Sequence, residues 1–300
     1  MAIATPPPRQ EPHAGPGDPL ADAGHRGIGV ALLVLAAALA LNTALGPLFA
    51  DVVDYPFSAS MRHQTIGLEA VSLALVAPWC VATAVLAWRG HTAAPVLALG
   101  PSAFVVYMFA QYVVGPEYRA YPAVLPLHLA LFILGGAVLL TAWSASGPAV
   151  RPALPRSRAR RWAAIVLVPA AFTASLYGPV FTGVVTGASL PADALEDVSM
   201  YWTIVLLDLG VVVPAAVAIA VGLLWQRAWA ATALHALIGW FALVPASVAA
   251  MSVVMLRNQD PHATPAATAV FVVMALVFAG ITAALYRPLL RPRPRPGNRG

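Results

Sequence analysis

The chain has 300 residues, 60% of them hydrophobic and only 10% charged, with a mean hydropathy of +0.79; a water-soluble domain carries about 25% charged residues, so most of this chain belongs in lipid. A single cysteine, Cys80, excludes an intrachain disulfide and a cysteine metal cluster. All 17 basic residues are arginine, which excludes Schiff-base and P-loop lysine chemistry, and the placement of those arginines removes nucleic acid as the reason for the net charge of +5.

Residues 1–26, "MAIATPPPRQEPHAGPGDPLADAGHR", are polar and proline-rich and predict a disordered cytoplasmic tail without the apolar segment of a signal peptide. Apolar runs long enough for a hydrocarbon core of ~30 Å follow at 27–50, 66–88, 94–115, 122–145, 161–186, 200–225, 229–256 and 266–286. The expected fold class is therefore an all-α membrane protein of eight spans. Its expected organisation is a first four-helix half (27–145), a basic cytoplasmic linker (146–160), a second half (161–286) and a basic Arg/Pro tail (287–300).

Fourteen of the 17 arginines fall on the side of the two termini, so the positive-inside rule makes both termini cytoplasmic. Arginine without lysine, with abundant alanine, proline and glycine, matches a GC-rich bacterial genome and predicts a multi-pass protein of the bacterial cytoplasmic membrane. Arg151, Arg156, Arg158, Arg160 and Arg161 in the linker, and Arg291, Arg293 and Arg295 in the tail, act as topology determinants. The same residues are placed to meet anionic lipid headgroups, at about 1 kcal/mol for each arginine near the surface.

The stretches "LGPLFADVV" (45–53) and "YGPVFTGVV" (177–185) share five of nine residues. Pro78 in "LVAPWC" answers Pro214 in "VVVPAA", and Trp88-Arg89 answers Trp225-Gln226-Arg227. These marks predict a parallel 4+4 internal duplication. Pro78 and Pro214, inside equivalent spans, predict kinks or hinges, because each removes a backbone donor that lipid cannot replace.

Asp208, in "IVLLDLGVVVP", lies roughly 12 Å below the outer surface, where an ionised aspartate costs at least a few kcal/mol and is by default a functional residue. Glu69 stands nine residues before Pro78 as Asp208 stands six before Pro214. Tyr107, Gln111 and Tyr112 share one side of the third span, and His128 lies about two turns below the outer surface. Asp208, Glu69, Gln111, His128 and Tyr107 are the expected substrate or ion-binding set, for a proton, a cation or a small solute. A metal site from His63, His262, Glu69 and Asp54 lacks HxH or HExxH spacing. No haem ligation is expected from His128 and His235, which lie at different depths, and no GxSxG or triad spacing marks a nucleophile. No catalytic residue, metal or cofactor is expected.

"MRHQTIGLEAVSLALVAP", followed by "LAWRG", and the later "LLDLGVVVPAA" resemble segments of a family of bacterial multi-spanning membrane proteins with no assigned activity. The family pattern places an aspartate shortly after the glutamine, where this chain has Thr65 and, four residues on, Glu69. The resemblance implies an integral membrane protein and assigns no role to any residue. The residues themselves point to a permease-like protein with an intramembrane acid at its site. The alternative is a non-transporting sensor, assembly factor or scaffold, and a quinone- or haem-linked redox protein through His128 and His235 is the weakest reading.

Overall fold

A computed structural model describes residues 19–147 and 154–291. Arg151, Arg293 and Arg295 lie outside the described residues, as does most of the N-terminal tail. Among the described residues there are helices and no strands, and eight helices are long and apolar enough to cross a membrane. They are α1 (Pro19–Leu45, apolar over Gly24–Leu45), α2 (Ala59–Trp88), α3 (Ala94–Val114), α4 (Leu125–Ala145), α5 (Arg156–Thr186), α6 (Val198–Leu224), α7 (Ala228–Arg257) and α8 (Pro265–Leu290). The chain is a multi-pass membrane protein. Helix is the form such a chain must take, since it satisfies backbone donors and acceptors where no water can.

The boundaries differ from the sequence expectation where polar side chains decide them. α2 starts seven residues early, because Ser58 caps it by accepting from the Met61 N–H at 3.1 Å. α1 stops at Leu45, and residues 46–53 close into turns, with Asp51 at φ 54°. The matching stretch in the second half remains helical over Gly178–Thr186 after a break at Tyr177. The cause of the difference is Glu69, which accepts the Leu48 N–H at 3.0 Å and lies so close to Gly46 that a side chain there would overlap its carboxylate. At the same distance from its proline, α6 carries Val205 instead.

The two spans that carry Pro78 and Pro214 widen in the same place, whereas Pro101 of α3, Pro169 of α5 and Pro245 of α7 sit inside α-helix. In α2 the five residues Ser72–Val76 form a π turn, in which Ala77 N–H donates to Ser72 C=O; in α6 Asp208–Val212 do the same, with Val213 N–H donating to Asp208 C=O. Pro78 and Pro214 follow each turn, both two residues after its end. A proline ring collides with the carbonyl four residues back, and an added residue in the turn moves that carbonyl away. The two spans also end alike. Gly90 and Gln226 both take left-handed φ (67° and 57°), and His91 and Arg227 N–H groups donate back to Leu86 and Gly222 carbonyls.

Within the first half α1 packs on α2 and α4, and α3 packs on α4; within the second, α5 packs on α6 and α7 on α8. α3 and α7 join the halves along their length, and α2 packs closely on α7. The counterpart of that last contact, α6 against α3, is slight. The α3–α7 crossing is a contact of two glycines: a Cβ built on Gly100 or on Gly239 would sit 2.8 Å from the other's Cα. Small residues of this kind let membrane helices approach backbone to backbone.

Replacing Gly100 or Gly239 by leucine is expected to destabilise the fold by about 1–3 kcal/mol through overpacking. Gly280→Leu, where a Cβ meets nothing within 4 Å, is expected to have no such effect. Cys80, the sole cysteine and 0% exposed, makes thermal labelling with a thiol-reactive fluorophore the readout of unfolding.

Candidate functional site

The slight α6–α3 contact leaves a cavity of about 480 Å³ between the halves, lined by α2, α3, α5, α6, α7 and α8. Its rim is at the end of the bundle away from the termini, the distal end, where Ser58, Asp197, His262 and Thr264 line it. It runs inward past Gln111 and Tyr177 to Asp208, ten residues into α6 and so about 15 Å along that helix.

Asp208 is the first residue of the π turn of α6 and is partly exposed to the cavity. Tyr107 of α3 donates its hydroxyl to Oδ1 at 2.5 Å, and Tyr177, at the break in α5, donates to Oδ2 at 2.6 Å. The Gln111 side chain hydrogen-bonds the Tyr107 hydroxyl in turn. Trp240 of α7 sets its ring edge-on to Tyr107, with centroids 5.0 Å apart. Three spans and both halves thus converge on one carboxylate through neutral donors, and among the described residues no arginine lines the cavity.

The structure brings together three of the residues expected from sequence, Asp208, Tyr107 and Gln111. It does not bring Glu69 or His128 to them. Glu69 is buried against the end of α1 as the acceptor for Leu48. His128 is buried within the first half, its Nε2 3.1 Å from both the Tyr55 hydroxyl and Asn42 Oδ1 and its ring among those of Tyr55, Phe109 and Tyr112. The sequence reading missed Tyr177 as a partner of Asp208. Its signal was the Tyr-Gly-Pro break itself, which leaves the phenol at the inner end of a helical discontinuity.

At the rim two clasps tie the halves together. Asp197 accepts both the N–H (3.2 and 3.3 Å) and the hydroxyl (2.5 Å) of Ser58. Asp260 accepts from His63 Nδ1 at 2.9 Å and from the His262 N–H at 3.0 Å, with Ser60 also bonded to it, while His262 Nε2 reaches Glu196 at 3.3 Å. Among the described residues no three His, Cys, Asp or Glu side chains gather as a metal site. Arg156, Arg158, Arg160, Arg161 and Arg291 are all exposed at the opposite end. No family model, curated protein or solved structure matches the chain.

Burial raises the Asp260 carboxyl, but the bonds from His63, His262 and Ser60 outweigh it and hold the group below its ordinary value of 3.8. A depressed folded value contributes stability above the unfolded one, and that contribution is lost as pH falls through the folded value. Asp260→Asn is therefore expected to melt earlier than the native chain at pH 7, by about 1–3 kcal/mol. The deficit is expected to shrink as pH drops below about 3.8. Melts of both proteins from pH 7 down to pH 3, followed by the fluorescence of the chain's eight tryptophans, check this.

Proposed function

We propose that this protein is a permease-like carrier of a small solute or ion, with Asp208 as the ligand-binding group. The observation that carries the reading is the cavity between the two halves, which is lined at the distal end by Ser58, Asp197 and His262 and reaches an acid beside a widened, proline-marked turn. Intramembrane acids facing an internal cavity are characteristic of ion and solute pathways. The repeated π turns and helix ends, at the same spacing in both halves, support descent from one four-helix unit used twice. Paired halves of that kind carry binding sites at their interface in many transporters.

In this reading both termini face the cytoplasm of a bacterial cell, the distal rim faces outward, and the exposed arginines of α5 and Arg291 rest against anionic headgroups. The outward cavity is one of two states. The other opens toward the termini, with α6 moving against α3, where packing is slight, and the glycine crossing of α3 and α7 serving as the fulcrum.

The test is accessibility in sealed membranes, using single cysteines in a Cys80→Ala background and an impermeant maleimide. Thr173→Cys lines the cavity and is expected to label from the distal side. Ala233→Cys, buried in α7 seven residues toward the terminal end from Trp240, is expected to label from the terminal side when the carrier cycles. Labelling of Thr173→Cys alone under all conditions means a fixed cavity, and the protein is then a non-transporting sensor or scaffold.

A further inference from the structure

We infer that the cavity binds an amphiphilic organic cation, a bulky apolar molecule with one delocalised or ammonium positive charge. The inference deepens the carrier reading and rests on the same site.

Charge gives the sign. Among the described residues that line the cavity, Asp208 and Asp197 are the acids, His262 at the rim is the sole titratable base, and lysine is absent from the whole chain. Asp197 is engaged by Ser58, so the carboxylate left facing the deep end is Asp208. Its two oxygens each accept one phenol and have a lone pair to spare. An anionic ligand meets no counter-charge there, whereas a cation completes the site.

The walls give the class. Apart from Met1, every methionine in the chain lines this one cavity: Met61, Met108, Met200, Met251, Met255 and Met274. Unbranched, polarisable thioethers adapt to ligands of varied shape, and such surfaces recur where binding is apolar and tolerant. Phe172, Phe241, Phe271 and Phe278 join Tyr107, Tyr177 and Trp240 in the same walls, offering π faces to a cation that has left water. A volume of about 480 Å³ is that of a drug-sized ligand site rather than of a bare ion. A desolvated hard cation would need several oxygens in a shell, and the groups hydrogen-bonded to Asp208 are two phenols.

The packing gives the route. In the first half the first and fourth spans, α1 and α4, pack together, but their counterparts α5 and α8 make no comparable contact among the described residues. Both still line the cavity, α5 through Phe172 and Leu176 and α8 through Phe271 and Met274. The gap between them lets a membrane-soluble ligand reach the cavity from the bilayer.

The experiment measures binding of tetraphenylphosphonium to the full chain in detergent by equilibrium dialysis, beside tetraphenylborate, which has the same shape and the opposite charge. Saturable 1:1 binding of the phosphonium, with the borate at least tenfold weaker, is expected. Asp208→Asn should weaken phosphonium binding at least tenfold while Cys80 stays protected from labelling. Equal binding of both ions would overturn the inference as simple partitioning, and so would full phosphonium affinity in a folded Asp208→Asn. Stoichiometric binding of silver ion without phosphonium binding would overturn it too, assigning the thioethers to a soft metal. Phosphonium binding without terminal-side labelling of Ala233→Cys keeps the ligand class and removes transport; the reverse result keeps transport and removes the ligand class.

Discussion

In a hydrocarbon core an unpaired backbone N–H or C=O costs several kcal/mol, and the architecture of this chain follows from how it meets that demand. Regular helix answers it along most of each span, but a proline removes one donor and obstructs one carbonyl. α2 and α6 respond to Pro78 and Pro214 by widening the preceding turn to five residues, and in α6 the first residue of that turn is Asp208. The acid therefore sits where the helix is already irregular. Its backbone carbonyl is paired one residue further along than in an α-helix, and its side chain is held by phenols from two other spans. A backbone constraint and a ligand-facing charge meet in one residue.

The two halves agree in local geometry and differ in how tightly they close, and the cavity is the difference. α2 lies along α7, with Gly67 against the Met251 backbone, whereas α6 stands off from α3. α4 covers α1, whereas α8 leaves α5 uncovered. The first half is fixed by buried polar pairs, Glu69 with Leu48 and His128 with Asn42 and Tyr55. Those pairs close the first half upon itself. The second half has buried polar pairs of its own between α7 and α8, Tyr286 with the His235 carbonyl and Thr282 with that of Ile238, and holds Asp208 and Asp197 at the cavity.

Composition and hydropathy made the eight spans legible, because a lipid environment selects long apolar runs so strongly that little else competes. Asp208 was legible for the same reason, an acid being conspicuous in such a run. Helix ends were less so: the start of α2 at Ala59 is set by Ser58 and lies in the polar stretch "SASMRHQ" (58–64), which hydropathy reads as loop. Glu69 and His128 look like site residues in sequence because buried polarity is rare. Whether a buried polar group serves a ligand or a neighbouring backbone depends on partners distant in the chain, such as Leu48 at 21 residues and Asn42 at 86. Tyr177 was hidden by its ordinary position near an interface, where tyrosine is expected in any membrane protein.

The choice of partners for Asp208 is itself informative. An arginine in reach would have compensated the carboxylate permanently, yet among the described residues none lines the cavity. Two phenols give the oxygens hydrogen bonds and leave the charge without an opposite. At an effective dielectric of about 20, a monocation brought within about 4 Å gains on the order of 4 kcal/mol from such a carboxylate, before the desolvation of both groups is subtracted. A ligand whose charge is spread over apolar groups loses little hydration on leaving water, so it keeps more of that gain than a compact ion does. Thioether and aromatic walls around a phenol-held acid favour that ligand by the same argument: they add dispersion and π contacts and ask for no further polar partner.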